Sequence, residues 1–306
     1  MRGAPAGVRA RPGAVQPAGL GRGARAHPQG RLAGHPGPGG EGLRAHSPRP
    51  GGRDRGRPRP VPVRVVPVWN PFRRKTEAAW IAAGRTHPGL VRARNEDAFR
   101  VLERPAAWVV ADGMGGHAAG DRAARLAVDV VAARLPAAGH PGAEDLVAAV
   151  EEAHRAVGRD AASHPSRTGM GCTLVAALAE GGRVHVVHVG DARCYRWDGE
   201  HLARVTRDHS AAAEWGTAGA GLRNVVTRAV GVALDEGPEY TPVDVGPGQG
   251  LLLCSDGLWG PVPAGVLEEV MGEAADPAEA CERLVAEALG RGAPDNVTAV
   301  VALRKA

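Results

Sequence analysis

Two pairs of apolar, β-branched runs are joined by links too short for anything but a hairpin. CTLVAAL (172–178) reaches RVHVVHVG (183–190) through EGG (180–182), and CYRW (194–197) reaches HLARVT (201–206) through DGE (198–200). A parallel pair needs a crossover of roughly a dozen residues, so these strands are expected to be antiparallel. Further runs of the same texture are AFRVL (98–102), AWVVAD (107–112), GLLLCSD (250–256) and NVTAVVAL (296–303). Apolar spacings of three and four predict helices over 119–135 and 143–162, with shorter ones at 264–272 and 277–289. The two long helices follow each other directly. Strands grouped with strands and helices with helices predict α+β layers and not a βαβ wind.

This texture begins only near Ile81. Residues 1–60 are mostly Gly, Pro, Ala and Arg, without Phe, Tyr, Trp, Ile or Lys and without a strand or helix period. Such a stretch buries too little apolar surface to offset its ordering entropy. The expectation is a disordered Arg/Gly/Pro-rich tail over 1–75 and one folded domain over 76–306. Charge divides in the same place: residues 1–60 hold 12 Arg against 2 acids, leaving 26 basic and 31 acidic residues for 61–306. A basic total ordinarily suggests nucleic acid or a membrane surface. Here the folded part is mildly acidic, and the tail has no aromatic residues to stack on bases, so neither partner is expected. No run approaches the roughly 18 apolar residues of a membrane span. No apolar stretch followed by a small-residue cleavage site marks a signal peptide. Cys172, Cys194, Cys254 and Cys281 form no C-x-x-C pair. A cytoplasmic monomer with buried, reduced thiols is the expectation.

Four carboxylates stand at the tips of apolar runs, each beside Gly, Pro or a turn: Asp112, Asp191, Asp256 and Asp295. Converging in the core unpaired, they would be costly, and a hard cation is the usual remedy. An all-oxygen set favours Mg²⁺ or Mn²⁺ over zinc, and the His-plus-Cys spacing of a zinc site is absent. The glycine-rich stretch DGMGG (112–116) lets the main chain pass close enough for the Gly113 carbonyl to join Asp112 on one ion. A single DG is an ordinary turn; four such acids in one domain carry the metal reading.

The motifs GLVRARNEDAF (89–99), VVADGMGGHAAG (109–120), GCTLV (171–175), HVGDARCYR (188–196), TRDHS (206–210), NVVTRAVG (224–231), LLLCSDGLW (251–259) and PDNVTAVV (294–301) occur in one order. Together they resemble the metal-dependent serine/threonine protein phosphatases, the type 2C or PPM family, in bacterial form. The resemblance implies a four-layer α-β-β-α sandwich of two mostly antiparallel sheets, with 119–162 in one helical layer and 264–289 in the other. It implies that Asp112 bridges two Mn²⁺ or Mg²⁺ ions, that the Gly113 carbonyl and Glu96 serve the second, and that Asp256 and Asp295 hold the first. Asp191 with Asp256 matches the position of a third, weaker ion. Asp97, Asn296 and His117 are expected just behind the ligands. Arg92 matches the arginine that grips the substrate phosphate, a task suited to a planar fork of donors, with Arg94 as its nearby rival. The implied activity is hydrolysis of phosphoserine and phosphothreonine in proteins without a phospho-enzyme, opposing a eukaryotic-like serine/threonine kinase.

Two departures stand out. Eukaryotic relatives often carry His directly after the DG, where this chain has Met114, a thioether that donates no proton. The insert between DHS and the NVVTRAVG motif, 211–222, is short for a bacterial member. Elsewhere, His185 and His188 are three apart on one strand and therefore face opposite sides, and His209 reads as a turn support. The alternative to an enzyme is a pseudophosphatase or regulatory partner-binding module with a nucleic-acid-binding Arg/Gly tail. Such a protein would be expected to have lost metal acids, and all are present.

Overall fold

In the computed structural model both short links are hairpins. The strand β4 (Gly171–Glu180) turns into β5 (Arg183–Val189) through Gly181, which takes the left-handed φ of 60° that the turn needs. The pair β6 (Arg193–Trp197) and β7 (Leu202–Arg204) is closed by the Asp198 carboxylate, which accepts from the backbone N–H groups of Glu200 and His201 at 3.0 and 2.7 Å. The structure describes residues 79–115, 119–215, 225–232 and 236–306; the expected tail over 1–75 lies outside them.

The two hairpins belong to different sheets. One sheet runs β2 (Asp97–Leu102), β3 (Ala107–Met114), β4, β5 and β8 (Glu239–Asp244). The other runs β1 (Trp80–His87), β10 (Val297–Arg304), β9 (Gly250–Cys254), β6 and β7. Every pairing is antiparallel. The chain therefore changes sheet between β5 and β6, and Asp191 sits in that crossing.

Helices α1 (Ala119–Ala137) and α2 (Ala143–Ser163) cover the first sheet. Beyond the five-residue α3 (Ala211–Trp215) and the one-turn α4 (Asp256–Trp259), helices α5 (Ala264–Glu273) and α6 (Pro277–Gly290) cover the second. The starts are locally coded: Asp276 caps α6 by accepting from Ala278 N and Glu279 N, with Pro277 at the first position. Along β3 the two-residue period sorts Val109 and Ala111 toward the helices, and Trp108 and Val110 toward the facing sheet. Leu251, Leu253, Val300 and Ala302 meet them there, and Trp80 stands 5.0 Å from Trp108 between ring centroids. The result is the four-layer α-β-β-α sandwich.

The differences from the sequence reading are local. Strands β1 and β8 were not expected: WIAAGRTH is rich in small residues, and EYTPVD is an edge strand interrupted by Pro242. HLARVT pairs over only three residues. GLLLCSD stops as a strand at Cys254, and Asp256 instead opens α4. Asp112 and Gly113 lie inside β3, paired with Thr173 and Cys172, and not in a loop after it. All four cysteines are free and buried, and burial pushes their thiols up. No helix among the described residues is long and apolar enough to cross a membrane.

Candidate metal centre

A cleft of about 700 Å³ opens where the ends of the two sheets meet. Five carboxylates line it. Glu96 stands just ahead of β2, Asp112 lies within β3, Asp191 lies in the sheet crossing, Asp256 opens α4, and Asp295 precedes β10. Arg92, Ala93 and Arg94 form one side of the rim, and Met114, Gly115 and Val226 also line the cleft.

Bare backbone beside Asp112 is a steric requirement. A Cβ on Gly113 would lie 2.2 Å from the Gly120 carbonyl oxygen and 2.7 Å from that of Glu96, while one on Gly120 would lie 2.4 Å from Glu96 Oε2. Only paired glycines let the end of β3 and the start of α1 close around the Glu96 carboxylate. Across the cleft, a Cβ on Gly257 would meet the Asn296 carbonyl at 1.9 Å, so the helix carrying Asp256 touches the segment carrying Asp295 directly.

Asn296 ties the Arg92 loop to this frame. Its Oδ1 accepts from Glu96 N at 2.8 Å, and its Nδ2 donates to the carbonyls of Pro88 and Arg94 at 2.9 and 2.8 Å. Asn296→Ala removes all three bonds and leaves the partly buried Glu96 N–H without its partner. It is expected to lower stability by roughly 2–4 kcal/mol in chemical denaturation. Asp97, on β2, spans the sheets: its Oδ2 accepts from Ser255 Oγ at 2.7 Å and Thr298 Oγ1 at 2.6 Å. Thr173, across from Asp112 on β4, adds a buried hydroxyl without a hydrogen-bond partner; the sequence reading assigned it no role.

Burial and mutual repulsion dominate the electrostatics. Burial pushes the Asp112 carboxyl well above its ordinary range, and the charges of Asp97, Asp256, Asp191 and Asp295 add to this. Asp191 is raised to about 7 by burial and by Asp256. Asp97 reaches about 7 through burial, against the pull of the Thr298 and Ser255 hydroxyls. Asp256 is raised by burial and by Asp295. Cations oppose this: Arg92 Nη2 donates to Asp295 Oδ2 at 2.7 Å, with the Arg92 side chain 57% exposed and Asp295 33%, and the Arg193 guanidinium partly offsets the rise at Asp191. Among the described residues the lining carries no imidazole or thiol, and Asp97 Oδ1 and Asp256 Oδ1 are buried without hydrogen-bond partners. An all-oxygen donor set with excess negative charge and orphaned buried oxygens fits hard divalent cations.

The cleft thus gathers Arg92, Glu96, Asp112, Gly113, Asp191, Asp256, Asp295 and Asn296, with Asp97 directly behind. His117 and residues 216–222 of the short insert lie outside the described residues. His185 and His188 are separate, as their spacing predicts. His185 bonds the Tyr240 hydroxyl and Glu180. His188 stacks on His209 at 4.6 Å and bonds the Arg207 carbonyl. Together with Glu239 these two imidazoles form the one cluster of metal-type side chains found apart from the cleft among the described residues. Its hydrogen bonds account for both ring nitrogens of His209, while His188 Nδ1 is buried without a partner. His209 Nδ1 accepts from Gly190 N–H at 3.2 Å, which leaves the proton on Nε2 to be donated to Glu239 at 3.1 Å.

Residues 86–293 match the family model for protein phosphatase 2C. The serine/threonine protein phosphatase PstP of Mycobacterium tuberculosis is 36% identical over 232 residues, which is 72% of this chain and 44% of that protein. The chain therefore spans less than half of that relative's length. The serine/threonine phosphatase stp of Listeria innocua is 32% identical over 240 residues, 72% of this chain and 94% of that one. Among solved structures, PppA of Pseudomonas aeruginosa superposes with a TM-score of 0.66 at 38% identity, covering 73% of this chain and 97% of its own. The catalytic domain of PstP in complex with two manganese ions gives 0.67 at 35% identity, covering 74% and 99%. With its sandwich and its five-acid cleft, the chain belongs to the protein phosphatase 2C family.

Proposed function

We propose that this chain hydrolyses phosphoserine and phosphothreonine in proteins with the help of two divalent cations, Mn²⁺ or Mg²⁺. The observation that carries the reading is the convergence of five carboxylates and the exposed Arg92 on a single cleft. Asp112 would be shared by both ions. Glu96 with the Gly113 carbonyl would serve one ion, and Asp256 with Asp295 the other. Asp191 with Asp256 would take a third, weaker one. When bound, such cations supply Lewis acidity, neutralising phosphoryl oxygens and making water a nucleophile near neutral pH.

The chain's own residues bind and orient. Arg92 presents a planar fork of N–H donors at the rim, where two parallel bonds to phosphate oxygens fix the group and balance charge in the transition state. Its pairing with Asp295 and the anchoring of its loop by Asn296 keep the guanidinium aimed over the acids. Asp97 holds the sheet ends together beneath the ligands. Met114 donates no proton, so the leaving oxygen takes its proton from water in the open cleft.

The substrates are phosphorylated proteins, the opposing activity is a eukaryotic-like serine/threonine kinase, and the setting is the cytoplasm of a bacterium. The catalytic domain over 76–306 works as a monomer. Hydrolysis of p-nitrophenyl phosphate and of a phosphothreonine peptide is expected to require Mn²⁺ or Mg²⁺ and to vanish in EDTA. Full activity in EDTA would overturn the metal-dependent reading.

A further inference from the structure

Asp191 and Asp256 sit on segments that share no strand, one in the crossing between the sheets and the other at the start of α4. Trp259, in the same turn as Asp256, links them: its indole Nε1–H donates to the Asp191 carbonyl at 3.1 Å. The indole is itself held. The guanidinium carbon of Arg193 lies 3.4 Å above the centroid of the ring, well within cation–π range. The same guanidinium donates two parallel bonds to Asp208, at 2.9 and 2.7 Å, and one to the Tyr195 hydroxyl at 3.1 Å. On the other flank His209 grips Gly190, donating its backbone N–H to the Gly190 carbonyl at 2.9 Å and accepting from Gly190 N.

A largely buried Arg–Asp pair contributes little net stability, because desolvation offsets the attraction and a well-packed apolar pair would serve as well. Its fork supplies direction instead, fixing the plane in which the indole lies and hence the position of the Asp191 backbone. We propose that Arg193, acting through Trp259, is a positioning residue for the Asp191–Asp256 pair and sets how tightly that pair holds its weaker third cation. This rests on the metal-dependent reading above.

The test is calorimetric titration of the full chain with Mn²⁺, using Asp191→Asn to identify the weakest binding phase. Trp259→Phe keeps an aromatic face for Arg193 and removes the N–H together with the rest of the five-membered ring. It is expected to weaken that phase about 10-fold, the scale of an outer partner of a ligand, leaving the tighter phases unchanged. On the Asp191→Asn background the same change is expected to add nothing. Arg193→Lys, which keeps the charge and loses the fork, is expected to reproduce the effect. An unchanged weakest phase in Trp259→Phe would overturn the proposal. So would equal weakening of every phase in both backgrounds, the signature of a general structural role. A wild-type chain with no third phase also sinks it, while EDTA-sensitive hydrolysis would still stand.

Discussion

Asp112→Asn and Asp256→Asn are each expected to lower kcat/KM by at least about 100-fold at saturating Mn²⁺, the upper end of what even an indirect contact to a metal is worth. Asp191→Asn is expected to cost less than about 10-fold under the same conditions, because it would touch only the weaker site. The ranking follows from placement. Asp112 lies within a paired strand in register with Thr173, and Asp256 is packed against the Asp295 segment through Gly257. Asparagine is nearly isosteric, so the loss isolates charge from shape. Steady-state rates with Mn²⁺ titrated to saturation measure this, and equal losses for all three would show the ranking to be wrong.

Arg92→Ala is expected to raise KM and lower kcat/KM by about 30- to 1,000-fold, corresponding to roughly 2–4 kcal/mol of lost charge-assisted hydrogen bonding. Arg92→Lys keeps the charge without the fork and is expected to recover only part. Inhibition by inorganic phosphate, which presents the same oxygens, is expected to weaken in parallel. Arg94 lines the same rim, and its side chain has no ion pair or hydrogen bond among the described residues. Should Arg92→Ala leave KM and phosphate inhibition unchanged while Arg94→Ala impairs both, Arg94 is the phosphate ligand.

Hairpins, helices and acids were legible because each is coded within a few residues. Links of two and four residues forced the β4–β5 and β6–β7 pairings, and the aspartates ended apolar runs. The missing parts depend on partners far away in sequence. That β5 and β6 belong to different sheets is not visible in the three residues between them. Strand β1 owes its place to pairing with β10 some 200 positions later, not to its own small side chains. Thr173 looks like an ordinary strand residue until β3 sets it beside Asp112. The contact of Arg193 with Trp259 has no local signal, since the stacking of one on the other requires the β6–β9 pairing and the turn of α4. Gly113 was read as leaving its carbonyl free; its steric reason, the backbone of Gly120, became apparent only with the helix in place.

The acids of the cleft ride on two separate plates. Glu96 and Asp112 move with one sheet and Asp256 and Asp295 with the other, stitched at the rim by Asp97 to Ser255 and Thr298. Between them the facing surfaces interlock through apolar side chains such as Trp80, Trp108, Val110 and Val300. Sliding one plate along the other would shift the two halves of the ligand set by the same amount, with no intervening joint to absorb it. The mechanical stiffness of that middle layer is therefore what holds the acids in register. A void cut into it at Trp108, four residues along β3 from Asp112, would be felt as a slackened grip on the cations while the sandwich still stands.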